Sequence, residues 1–182
     1  MKNIILSFFL ITSVFILKAQ NLYQSTKSEI SFFSEAPMEN IEAKTTEAKS
    51  LLNIETKEIA FVIPIVTFHF EKPLMEEHFN ENYMESDKYK TASFKGNILT
   101  DVDLTKPGTY EVEVEGELTI HGVKQHRTIK GTIEVKDEQI TITSNFKVAL
   151  KDHKIKIPKM VVKNIAEIVD VTVNVAYAKK TN

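Results

Sequence analysis

Residues 110–135 read YEVEVEGELTIHGVKQHRTIKGTIEV. Tyr110, Val112, Val114, Gly116, Leu118 and Ile120 share one parity, and Glu111, Glu113, Glu115, Glu117, Thr119 and His121 share the other. Successive side chains of a strand point to opposite faces, so this is a strand with one buried and one solvated face. The pattern resumes after Gly122, with Val123, Ile129, Gly131, Ile133 and Val135 against Lys124, His126, Thr128, Lys130, Thr132 and Glu134. Rows of Glu and Lys on the solvated faces can pair across such a hairpin, each pair contributing little at a wet surface.

The same period extends in both directions. Ile140, Ile142, Ser144, Phe146, Val148 and Leu150 alternate with polar residues, as do Ile165, Glu167, Val169, Val171, Val173, Val175 and Tyr177. Upstream, Ile30-Phe32, Ile59-Phe61-Ile63-Ile65 and Ala92-Phe94-Gly96-Ile98 repeat it less cleanly. Between them Ile41–Leu52 reads as one strand whose parity slips near Ala48, the signature of a bulge. Long amphipathic strands with short polar turns and one short helix cannot cover a flat sheet with a second apolar layer. Closure solves both the buried face and the unpaired edges, so the expected fold is all-β, a closed antiparallel β-barrel.

The one helical stretch is Pro73–Met84. Pro73 suits a first helical turn, where its missing N–H costs nothing. Met75, Phe79 and Tyr83 recur every four residues as an inward stripe with Leu74 on its flank, while Glu76, Glu77 and Glu81 face away. A helix this short needs a docking surface, and one mouth of the barrel offers it. The stripe then acts as a lid, or simply as packing.

The interior is expected to be lined by Phe32, Phe61 and Phe94 from the early strands, by Val112, Val114 and Leu118 from the quoted one, and by Ile129, Ile133, Ile142, Phe146 and Val148 from the next two. Gly96, Gly116 and Gly131 fall on the same inward parity. Each either leaves space or marks a bend needed for closure. Taken together they suggest a residual cavity, which Gly116→Phe should fill while the fold survives. Burial in such a cavity favours an apolar chain by about 0.8 kcal/mol per methylene, a prenyl or acyl ligand rather than a sugar or nucleotide. Gln125 and Arg127 share the inward parity beside the turn. They are candidates for a polar head group, Arg127 by charge-assisted hydrogen bonding, or else rim residues that reach water. Ser144 and Glu167 are further inward polar positions.

The chain opens with Lys2, an apolar run from Ile4 to Leu17, and Lys18-Ala19-Gln20. That run is short for a membrane span and suits a signal peptide cut after Ala19 or Gln20. Residues 20–182 then form one domain in a periplasmic or secreted setting. The chain has 23 basic and 25 acidic residues, and the leader's two lysines make the remainder slightly more acidic. No basic footprint argues for nucleic acid or an anionic membrane surface, and an integral membrane protein is not expected. With no cysteine, disulfides, thiol catalysis and Cys-ligated metals are excluded. His69, His78, His121, His126 and His153 fit no metal-ligand spacing, so no metal and no cofactor are expected. Asp152-His153 are adjacent, a poor geometry for a triad, and no nucleophile elbow accompanies them. No catalytic residue is assigned.

Three pieces in order carry a resemblance: EHFNENYMESDKY at residues 77–89, ASFKG at 92–96 and LTIHGV at 118–123. Together they resemble the YceI-like family, secreted lipocalin-like barrels associated with long apolar ligands such as polyisoprenoids, over Tyr23 to Tyr177. Lys90 stands where the family usually has Pro, and Arg127 where it more often has an aliphatic residue. The resemblance implies a non-enzymatic binder or carrier of a polyisoprenoid or fatty-acyl ligand. The alternatives are an interaction protein with a filled barrel, and an enzyme acting on a lipid. A homodimer through exposed strand faces is compatible with the pattern.

Overall fold

The computed structural model describes residues 21–137, 139–158 and 164–180. The expected leader, residues 1–19, lies outside them. Among the described residues ten strands form one antiparallel sheet: β1 (Leu22–Glu35), β2 (Asn40–Thr45), β3 (Lys49–Asn53), β4 (Glu58–Pro64), β5 (His69–Phe70), β6 (Thr91–Ile98), β7 (Gly108–Ile120), β8 (Val123–Lys136), β9 (Gln139–Ala149) and β10 (Ile168–Lys179). β10 pairs along β1 from Tyr23↔Lys179 to Phe33↔Asp170 and closes the sheet. Since β2 and β3 lie end to end along β1 and β5 is a short extension, the result is a closed barrel of 8 strands.

The quoted hairpin is the most regular part. β7 and β8 pair without interruption from Gly108↔Val135 to Ile120↔Val123. They are joined by His121 (φ 51°) and Gly122 (φ 69°), the left-handed pair that a two-residue turn needs to match strand twist. On the solvated face Lys124 reaches Glu117 (2.7 Å), His126 reaches Glu115 (3.2 Å) and Lys130 reaches Glu113 (3.5 Å). β8 then pairs with β9 only from Thr132↔Thr143 to Lys136↔Gln139.

Two sequence expectations are corrected. Ile41–Leu52 is not one bulged strand but β2 and β3, broken at residues 46–48. Ser28 spans the break, its hydroxyl 2.9 Å from the Thr46 carbonyl and 2.7 Å from that of Ala48, while Ser25 accepts from the Ser50 N–H at 2.9 Å. The parity slip is therefore a change of strand, with hydroxyls taking over hydrogen bonds the ladder lacks. The helix is α1 (Pro73–His78) followed by a π-turn, Phe79–Tyr83. In that turn the Met84 N–H bonds the Phe79 carbonyl at 2.9 Å. One wide turn moves the buried stripe on by a residue, and Met84 becomes buried.

The barrel ends differ. At the end holding the β3–β4 and β8–β9 turns, Leu52, Ile59, Ile98, Leu104, Val135, Ile140, Val175 and Tyr177 pack into a solid core. Tyr177, 1% exposed, sits within 2.6 Å of the Ser50 hydroxyl, and Ser50 donates to the Ala60 carbonyl at 2.8 Å. The other end carries the α1 segment.

Candidate functional site

Above that core the barrel contains a cavity of about 400 Å³. Its wall is built by the inward parity of the strands. Phe32, Phe61, Phe94, Val112, Val114, Leu118, Ile129, Gly131, Ile133, Ile142, Phe146 and Val148 all line it, as do Met75, Phe79 and Tyr83 of the α1 segment. Periodicity alone thus located most of the wall.

Gly96 and Gly116 are corrected. They are register partners on β6 and β7, not cavity positions. A Cβ on Gly116 would lie 2.3 Å from the Lys95 carbonyl oxygen, and one on Gly96 would lie 2.5 Å from that of Glu115. These glycines let two strands approach, so Gly116→Phe would strike main chain rather than fill the void. Gly131 does face the cavity, and a Cβ there would meet the Thr143 carbonyl oxygen at 2.9 Å.

The head-group candidates are also relocated. Gln125 and Arg127 face Leu118 and Gly116 in register, yet neither lines the cavity. Gln125 Nε2 donates to the Asp152 carbonyl at 2.8 Å and an Arg127 guanidinium nitrogen donates to that of Lys147 at 2.8 Å. The side chains turn sideways, Arg127 to β9 and Gln125 to the turn that follows it, because β9 has separated from β8 there. Ser144 lines the cavity with its hydroxyl donating to the Lys130 carbonyl. Glu167 lies just outside β10, its carbonyl bonded by the Leu150 N–H.

The lid end is aromatic. Phe79 stacks on Phe32 (centroids 5.5 Å apart, planes 23°) and also touches Phe68 (5.7 Å) and Phe70 (5.0 Å). Phe68 and Phe70 escaped the sequence reading because the Ile65–Phe70 stretch is a 3₁₀ turn and a two-residue strand, too short for a period to register. Ile65, Met84 and Ile155 form a second apolar contact under Tyr83 and Leu150. Polar anchors hold both ends of the segment. Lys72 reaches Glu39 at 2.6 Å, and Glu85 lies 2.8 Å from His121 Nε2, whose Nδ1 is 3.2 Å from the His153 carbonyl oxygen. Glu76, expected to face away, instead accepts from the Phe70 N–H at 3.2 Å.

Ser31, Ser34, Glu39, His78, Lys130, Ser144 and Asn164 are the polar residues that the wall includes among its many apolar ones. Glu39 pairs with Lys72, and Ser34 accepts from the Ala166 N–H at 2.9 Å. Among the described residues no three His, Asp or Glu side chains gather as a metal site. No helix among them is long and apolar enough to cross a membrane. The arrangement can take up an apolar body by burial, with specificity from shape rather than from hydrogen bonds.

A family profile for the YceI-like domain matches residues 23–177. No curated protein matches. Among solved structures, a polyisoprenoid-binding domain from Saccharophagus degradans implicated in plant cell wall breakdown superposes with a TM-score of 0.74 at 14% identity, covering 87% of this chain and 98% of that one. BcnA of Burkholderia cenocepacia gives a TM-score of 0.71 at 15% identity, covering 82% and 95%. The Campylobacter jejuni YceI protein gives 0.65 at 14%, covering 81% and 90%. At such identities these likenesses speak for the barrel alone. The family match spans most of the chain, from the first residues of β1 to the last of β10, and this protein is a member of the YceI-like family.

Proposed function

We propose that this protein binds and carries a long apolar ligand, of polyisoprenoid or fatty-acyl type, inside its barrel, outside the cytoplasm once residues 1–19 have been removed. The observation that supports this reading most is the wall of the cavity, about 400 Å³ bounded almost wholly by aliphatic and aromatic side chains. That volume falls in the range of small-molecule pockets, and each methylene transferred into it gains about 0.8 kcal/mol. Family membership and the polyisoprenoid-binding neighbour agree with the same ligand class. A barrel serving only as a filled interaction module would have no reason to keep such a void. Ser34, Glu39 and Ser144 of the wall are spent on structural hydrogen bonds, which disfavours each of them as a catalytic group.

The test is native mass spectrometry of protein purified without detergent, followed by organic extraction. A discrete added mass that extracts as a prenyl or acyl lipid supports the reading. A bare mass that stays bare after incubation with long-chain isoprenoids and fatty acids overturns it.

A further inference from the structure

β8 and β9 are long neighbours, Val123–Lys136 and Gln139–Ala149, yet their ladder stops at Thr132↔Thr143. Beyond that point each continues as a strand on its other partner, β8 on β7 up to Val123 and β9 on β10 up to Ala149. Between them, among the described residues, residues 123–131 of β8 and 144–149 of β9 have no ladder partners across the gap. Paired strands lie about 4.8 Å apart, close enough for main chain to meet main chain. Here the gap takes a side chain to cross it: the Ser144 hydroxyl to the Lys130 carbonyl at its narrow end, then the Arg127 guanidinium to the Lys147 carbonyl at 2.8 Å. The 3₁₀ turn Leu150–His153 closes the far end, with Gln125 on the Asp152 carbonyl and His153 Nδ1 donating to the Val123 carbonyl at 3.1 Å.

Both lips of this slit belong to the cavity wall, Ile129 and Gly131 on one side and Ser144, Phe146 and Val148 on the other. Lys130 also contributes to the wall, although its side chain runs along the outer face to Glu113. The cavity therefore reaches β8 at Lys130 and Gly131, beside the narrow end of the slit. The lid end, by contrast, is held by four phenylalanines and by polar anchors at both ends of the α1 segment.

We propose that the slit between β8 and β9 is the route by which an apolar chain enters and leaves the cavity, with Arg127, Gln125 and Ser144 as removable bridges across it. This rests on the cavity being the ligand site. Widening the slit breaks side-chain bridges to two or three carbonyls that water can take over, and it leaves every ladder of the barrel intact. Opening the lid end must separate the Phe79 cluster and both polar anchors.

The experiment is stopped-flow binding of dansyl-labelled undecanoic acid to the full chain, to Arg127→Ala, to Arg127→Ala/Gln125→Ala and to Lys72→Ala, which removes one of the lid's two polar anchors. A gate that limits exchange sets both rates. Slit variants should speed association and dissociation together, by about fivefold or more, leaving the dissociation constant within about twofold. Lys72→Ala should move the rates far less. Slit variants with wild-type rates, beside a faster Lys72→Ala, would overturn the route and leave the ligand site standing. Loss of affinity without faster association would make Arg127 a head-group partner instead. Absence of saturable binding in the full chain would overturn the ligand site and the route with it.

Discussion

Gly96 and Gly116 face each other across β6 and β7 so closely that a Cβ on Gly116 would stand 2.6 Å from the Gly96 Cα. Since the obstruction is main chain on a paired strand, it cannot swing aside. Gly116→Ala should therefore destabilise the barrel by about 1–3 kcal/mol through overpacking, lowering the melting temperature by several degrees. Thermal unfolding followed by circular dichroism measures it. An unchanged midpoint would mean that the two strands part at no cost.

The Ser50–Tyr177 pair gives an asymmetric expectation. Ser50 donates to the Ala60 carbonyl and Tyr177 donates to Ser50. Tyr177→Phe removes the donor and leaves Ser50 satisfied, a cost of about 1 kcal/mol. Ser50→Ala strands the buried phenol without a partner, at about 1–3 kcal/mol. Burial also holds the Tyr177 phenol well above its ordinary value. The unfolded chain can lose that proton near pH 10 and the folded chain cannot, so this contribution is full below pH 10 and is lost as pH rises further. Urea titrations of both variants at pH 7, and of Tyr177→Phe at pH 7 and 10.5, check the order and the sign. Equal losses at pH 7 would contradict the assigned donor order.

His153 is fully buried, its Nδ1 donates to Val123, and its Nε2 has no hydrogen-bond partner among the described groups. A second proton would have nowhere to go, and burial lowers the pKa below 6.5. Stability from this group is thus present above the unfolded value and falls as pH drops through it toward the folded value, by up to about 1.4 kcal/mol per pH unit. Between pH 7 and 5 the wild type should lose stability more steeply than His153→Gln. Parallel stability curves would remove His153 from the acid response.

Phe79 joins the α1 segment to Phe32, Phe68 and Phe70. Phe79→Ala should loosen that segment locally by about 2–3 kcal/mol, less than a full core truncation because the ring is half-buried. Hydrogen exchange should rise over residues 72–84 and stay unchanged in β7 and β8. A uniform rise through the barrel would place Phe79 in the global core.

The sequence made the strands legible because a period of two survives in any barrel: Val112, Val114 and Leu118 had only one way to face. The lid stripe was legible through Phe79 but not past it. The wide turn there accompanies a tertiary-scale detail, Asn80 donating to the Glu76 carbonyl and accepting from Ser86 through its own. The glycines could not be sorted by parity, since Gly96 and Gly116 differ from Gly131 in cross-strand register, which one strand does not encode. Arg127 and Gln125 share the inward parity, but their main-chain partners, the Lys147 and Asp152 carbonyls, were not legible. What turns them is the departure of β9 from β8, and nothing in β8 itself announces it.

The most direct measurement is an equilibrium titration of the wild type and Val114→Phe with dansyl-labelled undecanoic acid, each first shown to be folded. Val114 lines the cavity opposite Ile129, so the added ring takes ligand volume without meeting strand backbone. A ligand chamber inside the barrel requires saturable binding by the wild type, weakened about tenfold or more in the variant, at least about 1.4 kcal/mol. Equal affinity in both proteins, or no binding by either, would contradict it.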